Sequence, residues 1–193
     1  MSHEPTDGVR NVHKYEIDTL GAPFKISVID AVQIRTDPKT GKELIKIPDL
    51  VGLINVVVRT RVFDERKLNG PELKFLRKAI GVRSNTLAEF LDMTPAHLSR
   101  CEKGSKVMTV TSEKLFRLFI FLATYVAEPQ RMLEKVEDIE ITKTSEEPAE
   151  VAKKFISNFL SMKIRSVFDP RDELHYEFYR AETVEKWSPS LAA

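Results

Sequence analysis

The sequence is poor in cysteine, and this scarcity narrows the classes of protein to which it can belong. Of its 193 residues only Cys101 is a cysteine, so neither an internal disulfide framework nor a zinc site built on paired cysteines is possible. This thiol usage is typical of a reducing compartment, and we expect the protein to be cytoplasmic. The N-terminal segment lacks the apolar core of a signal peptide, in agreement with that expectation.

Long hydrophobic runs and a net charge of one sign are also missing. The most apolar stretch, Leu115 to Ala127, contains Arg117 and falls short of the ~20 residues that span a bilayer. It predicts a buried helix. Because 30 Lys and Arg residues balance 29 Asp and Glu residues, the total charge gives no pointer to nucleic acid, and any basic surface must be local.

The patterns that accompany catalysis or metal binding are absent as well. There is no glycine-rich phosphate loop and no nucleophile elbow, and His3, His13 and His175 are isolated from one another in sequence. Cys101 has no recognisable histidine partner and fits a small core residue. We therefore predict a protein that is not an enzyme, with no catalytic residue, no metal and no cofactor.

What is present is an uneven distribution of charge. From Arg59 to Lys106 there are eleven Lys and Arg against six Asp and Glu, whereas Glu128 to Glu150 holds eight Asp and Glu against three Lys and Arg. A basic centre is thus followed by a stretch that we interpret as an acidic linker over 128–148.

The N-terminal third has the alternation of β-strands. After a lead-in over 1–12 that we predict to be disordered, "FKISVIDAVQIR" alternates apolar and polar residues, and Asp30 breaks the alternation at a possible bulge. "TDPKTGK" predicts a turn, "ELIKIPDL" a second strand and the β-branched "GLINVVVRTRVF" a third. Residues 13–63 therefore predict a small antiparallel β-sheet domain.

Residues that mark the starts and ends of helices appear after residues 64–69. Pro71, Glu72 and Gly81 bracket a first helix, Ser84 to Leu91 form a second, and Thr94 with Pro95 begins a third that ends at Gly104. A fourth helix runs from Thr111 to about Val126.

These elements predict an all-α domain over 68–127, followed after the linker by a helical C-terminal extension over 149–187. The predicted fold class is α+β, with the small β domain first.

The third helix has two distinct faces. Leu98 and Cys101 point inward, whereas Ala96, His97, Arg100 and Lys103 fall on the opposite side. A short helix that is pinned by apolar residues and presents such side chains suits insertion into a DNA major groove, where Arg100 can bond guanine O6 and N7.

The stretch "SNTLAEFLDMTPAHLSRCEKG" resembles the helix-turn-helix of Cro/C1 (xenobiotic-response-element, XRE-type) transcriptional regulators, over about residues 70 to 126. The resemblance implies base contacts from Ala96, His97 and Arg100. It also implies a structural ion pair between Arg77 and Glu102. The residues that we expect at phosphates are Arg83, Ser84, Asn85, Thr94, Ser99, Lys103 and Lys106.

The order of sheet and helices is similar to that of MqsA (YgiT-type) antitoxin and regulator proteins, with "IKIPDLVGL" as the shared element and without their zinc cysteines. Two functions follow from these resemblances. The first is a sequence-specific regulator of double-stranded DNA, a repressor that controls its own promoter; the alternative is an antitoxin that binds a toxin through residues 13–63.

Either function predicts a homodimer. The fourth helix has two apolar stripes, with Leu115, Leu118, Phe119 and Leu122 along one and Phe116, Ile120 and Ala123 along the other. One stripe is enough for the helix to pack within its own domain, and the second can pair with a second copy.

Overall fold

The protein has an α+β fold, as the sequence predicts. The computed structural model describes residues 9–126, 156–157, 159–165, 173–181 and 186–190. The chain divides into two compact units, of which the first comprises Met1–Val57 and Arg171–Ala193 and the second Val58–Pro170. The division therefore falls before residue 63, at which we predicted the β domain to end, and the first unit draws on both ends of the chain.

The first unit contains one mixed β-sheet. Its strands within the described residues are β1 (Val9–Glu16), β2 (Lys25–Thr36), β3 (Glu43–Lys46), β4 (His175–Ala181) and β5 (Lys186–Pro189). The order is β1-β2-β4-β5, and β3 pairs with the C-terminal part of β2. Within residues 13–63 the strands pair antiparallel, as the sequence predicts, but the complete sheet is mixed because β4, from the C-terminal part of the chain, runs parallel to β2.

The alternation of β2 is interrupted at Asp30, where the sequence predicts a bulge. Val12 lies opposite Val32, but Lys14 lies opposite Ile29, so one residue of β1 faces two residues of β2. Asp30 has a φ of +53°, a conformation that Asp tolerates better than most residues. The extra residue shifts the register of the longest strand of the sheet.

Both ends of the chain contribute to the core of this unit. Its buried apolar side chains include Ile26, Val28, Val32, Ile34, Leu53, Val57, Leu174, Phe178 and Trp187. Trp187 also donates a hydrogen bond from Nε1 to the carbonyl oxygen of Asp49, at 3.0 Å. The C-terminal strands are therefore integral to the unit.

The third predicted strand, "GLINVVVRTRVF", is instead part of a helix, α1 (Leu50–Phe63). The Asp49 carboxylate caps it by accepting a hydrogen bond from the main-chain nitrogen of Gly52 at 3.2 Å. Leu53 and Val57 are buried one turn apart, as are Val58 and Val62. Burial at helical spacing outweighs the weak strand preference of a β-branched run.

Two predictions at the ends of the chain are also wrong. Residues 9–12, assigned to a disordered lead-in, belong to β1. Among its described residues, the extension over 149–187 is helical at 156–157 and 159–161, and its later part forms β4 and β5. Leu174 and Phe178 have helical spacing, but backbone pairing with β2 decides the structure. The predicted linker over 128–148 lies outside the described residues.

The second unit contains the helices that the sequence predicts. They are α2 (Gly70–Ala79), α3 (Ser84–Phe90), α4 (Pro95–Glu102) and α5 (Val110–Val126). Thr94 caps α4 by accepting from the main-chain nitrogen of His97 at 3.2 Å, and Pro95 is its first residue. Leu76, Leu87, Leu98, Phe116 and Ile120 form its centre.

Replacing Phe178 by Ala tests the place of β4 in the first unit. Phe178 is fully buried, so the substitution should lower the free energy of unfolding by about 3–5 kcal/mol. The neighbouring Tyr179 is 45% exposed, and Tyr179→Ala should cost about 0.5 kcal/mol. Urea unfolding followed by Trp187 fluorescence measures both variants, and equal losses would contradict this account of the core.

Candidate nucleic-acid interface

The end of α1 is joined to the start of α2 by a buried ion pair. Arg61 and Glu72 have side chains that are 0% and 1% exposed. Arg61 Nε lies 3.0 Å from Glu72 Oε1 and Nη2 lies 2.9 Å from Oε2. Glu72 Oε2 also accepts from the main-chain nitrogen of Asn69, and the Asn69 side chain accepts from that of Glu72, which completes a capping box.

A second buried arginine holds the connection between these helices from the side of α5. Arg117 pairs with Glu113 (Nη2 to Oε1, 2.8 Å) and donates to the carbonyl oxygens of Val62 at 2.8 Å and Arg66 at 2.7 Å. Burial is the largest influence on Arg117 and lowers its pKa, and the bonds to Glu113 oppose that shift. The Glu113 carboxylate also accepts from Lys67 Nζ at 2.9 Å.

The first residue of α2 contacts the end of α4 without an intervening side chain. A Cβ atom added to Gly70 would lie 2.7 Å from the carbonyl oxygen of Cys101, 2.8 Å from that of Glu102 and 2.5 Å from the main-chain nitrogen of Gly104. Only glycine allows this approach. The positive end of the α2 dipole thus faces the negative end of α4, which is a favourable arrangement.

A tight turn joins α3 to α4. Asp92 has a φ of +52°, and the main-chain nitrogen of Met93 donates to the carbonyl oxygen of Ala88 at 2.8 Å. Leu87 and Ala88 of α3 and Leu98 of α4 are fully buried. The small side chain of Ala88 permits close packing of two crossing helices, so the inward faces of α3 and α4 are those that the sequence predicts.

The Arg77–Glu102 ion pair that the family resemblance implies is present. Arg77 Nε lies 2.6 Å from Glu102 Oε1 and Nη2 lies 3.0 Å from Oε2, and the two side chains are 11% and 9% exposed. The hydrogen bond to Glu102 raises the pKa of Arg77. Arg77 Nη1 also donates a hydrogen bond to the carbonyl oxygen of Val82 at 2.9 Å. Arg77 of α2 therefore binds both the α2–α3 connection and α4.

The outward face of α4 carries the three residues predicted to contact bases. Ala96 and Arg100 are exposed and His97 is half-buried. Arg100 Nε donates to the carbonyl oxygen of Ala96 at 3.3 Å, a long bond on an exposed side chain that a stronger acceptor can replace. Lys103 is exposed one turn further along the chain.

The residues predicted to contact phosphates differ in their exposure to solvent. Those that are exposed are Arg83, Asn85, Thr94, Lys103 and Lys106, and those that are half-buried are Ser84 and Ser99. Exposed acidic residues, Glu89 and Asp92, lie between them in sequence. The surface is therefore polar with a local excess of positive charge.

Cys101 lies on the opposite face and is 1% exposed. Desolvation raises the pKa of its thiol, and the charges of Lys106 and Arg100 oppose that shift only in part. A buried thiol that stays protonated is a packing residue and a poor nucleophile.

Sequence reasoning missed Gly70, the Arg61–Glu72 pair and the Arg117–Glu113 pair. The sequence pattern places Glu72 at the start of its helix without indicating a partner, and it shows Arg117 as an interruption of an apolar run. A charged residue inside an otherwise apolar helix was the available signal, because such a residue is rarely buried without a partner.

The described residues were compared with the requirements of a metal site and of a membrane-spanning helix. No group of three or more His, Cys, Asp or Glu side chains among them is placed to hold a metal ion. In the same part of the chain, every helix is too short or too polar to cross a membrane.

Comparison of the chain with models of protein families, with curated proteins and with solved structures gives no match.

The Arg77–Glu102 pair predicts a measurable coupling. Arg77→Ala leaves the Glu102 carboxylate poorly solvated and without its guanidinium partner, and we expect a loss of about 1.5–3 kcal/mol in the free energy of unfolding. Glu102→Ala added to that variant should cost less than it does alone, with a coupling energy of about 0.5–3 kcal/mol. Denaturant unfolding of the four proteins measures it. Arg83→Ala, at an exposed position, is the control and should change stability by about 0.5 kcal/mol or less.

Proposed function

We propose that residues 68–127 are an XRE-type helix-turn-helix domain and that the protein is a sequence-specific regulator of double-stranded DNA. Its action is that of a dimeric repressor in the cytoplasm that occupies an operator, including one at its own promoter. The single observation that carries the proposal is the arrangement of α4. This short helix is fixed on its inner face and at its C-terminal end, and it presents polar and basic side chains outward.

The proposal assigns roles by the chemistry of each side chain. Arg100 forms two hydrogen bonds with guanine O6 and N7, while Ala96 and His97 contact neighbouring base edges. Lys103, Lys106 and Arg83 neutralise phosphates, and the hydroxyl and amide groups of the set named above orient the domain on the duplex. Buried packing behind α4 limits the movement of this helix. Base readout requires a fixed helix because hydrogen-bond geometry is strict.

A selection from random DNA, followed by binding measurements, tests this function directly. Duplexes enriched by the purified protein are compared with scrambled duplexes by fluorescence anisotropy. Arg100→Ala should weaken binding to the selected duplex by about 1–3 kcal/mol and affect scrambled DNA less, since the variant cannot bond the guanine edge. Lys103→Ala should weaken both duplexes alike.

Lys74→Ala is the matched control, because Lys74 is an exposed cation on α2 that has no role in the proposal. Equal losses on selected and scrambled duplexes for Arg100→Ala would show that Arg100 does not read bases. Failure to enrich any sequence would contradict the proposed function as a whole.

The apolar surface of α5 supports the dimeric state in the proposal. Leu115 and Leu122 are 45% and 51% exposed, and Phe90 of α3 is 52% exposed. Phe90 packs against Phe119 with ring centroids 4.4 Å apart. Along α5, the residues with the i, i+3, i+4, i+7 spacing of a helix that pairs with another helix are Leu115, Leu118, Phe119 and Leu122. A second copy about a two-fold axis buries the same stripe on both chains.

Leu122→Glu tests the dimer. A carboxylate in the proposed interface should shift the protein to a monomer and weaken DNA binding, because two linked half-sites bind more tightly than one. Sedimentation velocity measures the mass, and Lys78→Glu, at an exposed position of α2, should leave it unchanged. A wild-type monomer at concentrations that saturate the selected duplex would contradict the dimer.

A further inference from the structure

The hairpin of β2 and β3 carries a concentration of positive charge outside the helical unit. We call residues 35–46 the basic hairpin. Its basic side chains, all exposed, are Arg35, Lys39, Lys42 and Lys46. Its two acidic residues are Asp37 and Glu43. Asp37 keeps its negative charge but is hydrogen-bonded within the turn, whereas Glu43 pairs with an arginine outside the hairpin.

Asp37 faces the backbone of its own turn. Its Oδ1 accepts from the main-chain nitrogen of Lys39 and its Oδ2 from the hydroxyl of Thr40, both at 2.8 Å. These bonds lower the pKa of Asp37 and keep the carboxylate in the turn. The main-chain nitrogen of Gly41, which has a φ of +66°, donates to the carbonyl oxygen of Asp37 at 2.8 Å. The tip therefore has a defined conformation.

Glu43 is neutralised from the neighbouring strand. Its Oε1 lies 2.8 Å from Arg10 Nη2, so the pair adds no net charge. Among the described residues, the ammonium groups of Lys39, Lys42 and Lys46 form no ion pair. A strand rise of about 3.3 Å per residue separates Lys42 and Lys46 by about 13 Å, which corresponds to about four base pairs along the axis of a DNA duplex.

We propose that the basic hairpin is a second DNA-binding element, which contacts backbone phosphates and does not read sequence. This inference rests on the proposed function, because it assigns further contacts with the same polyanion. A ribbon with three exposed ammonium groups and a fixed turn matches the regular negative charge of a duplex. The exposed Leu44 lies between Lys42 and Lys46 on the same face of β3, because side chains alternate along a strand, and contacts the deoxyribose groups between phosphates.

Salt dependence of DNA binding separates this interaction from base readout. The selected duplex and a scrambled one are titrated with the 193-residue protein and with two variants. One is the triple variant Lys39→Gln, Lys42→Gln, Lys46→Gln, and the other is the single variant Lys42→Gln. Each lysine that no longer neutralises a phosphate should make the slope of log K against log salt less negative by about 0.9. We expect a change of about 2–3 for the triple variant on both duplexes, with an unchanged ratio of affinities between them.

Three controls test whether a change in the salt slope comes from the charges of the hairpin. Lys186→Gln removes an exposed lysine of β5 and should leave the slope unchanged. The triple Lys→Arg variant keeps the charges and should behave as the wild type. Unfolding curves followed by Trp187 fluorescence establish that the first unit remains folded in every variant.

The outcomes distinguish the inference from the function on which it rests. An unchanged slope in the folded triple variant would overturn the inference, while loss of selectivity in Arg100→Ala would still support the proposed function. A reduced slope together with full selectivity in Arg100→Ala would support phosphate binding by the hairpin and contradict base readout by α4. A selective loss of affinity for the selected duplex in the triple variant would overturn the sequence-independent role.

Discussion

The bidentate ion pair between Arg61 and Glu72 is the interaction on which the helical unit depends. It fixes the end of α1 and the start of α2, and Glu72 at the same time caps the helix to which it belongs. Arg61 also holds the intervening backbone through the carbonyl oxygens of Arg66 and Lys67. Because desolvation of two charges offsets much of their attraction, the pair contributes chiefly to the position of α2 and less to net stability.

The position of α2 in turn determines that of α4. Gly70 meets the last residues of α4 at the beginning of α2, and Arg77 binds Glu102 near its end. Both contacts involve the C-terminal part of α4, whereas its N-terminal turn is exposed at Ala96. A helix that is held at one end and exposed at the other is suited to present its first turns to a partner. Helix-turn-helix proteins use the N-terminal residues of the recognition helix in this way.

The features that could be predicted from the sequence are local ones. Thr94 and Pro95 specify the start of α4 by cap chemistry alone, and the faces of that helix follow from its period. The prediction failed for α1, where a run of valines favours a strand until burial at helical spacing decides. It failed also for β4, because its parallel partner β2 lies about 150 residues away in sequence, and no local pattern encodes such pairing. The role of Gly70 depends on backbone that follows it by more than 30 residues.

The small net charge of the chain is a poor indicator of what its surface attracts. Arg61, Glu72, Glu113 and Arg117 are buried as two neutral pairs and contribute little to the field outside. At physiological ionic strength, exposed charges more than about 8 Å apart are largely screened from one another. The affinity of such a protein for a polyanion is therefore set by the side chains at the contact. In the proposed function, Arg100 and Lys103 on one unit and Lys42 and Lys46 on the other are the cations at that contact, and their effect does not depend on the formal sum.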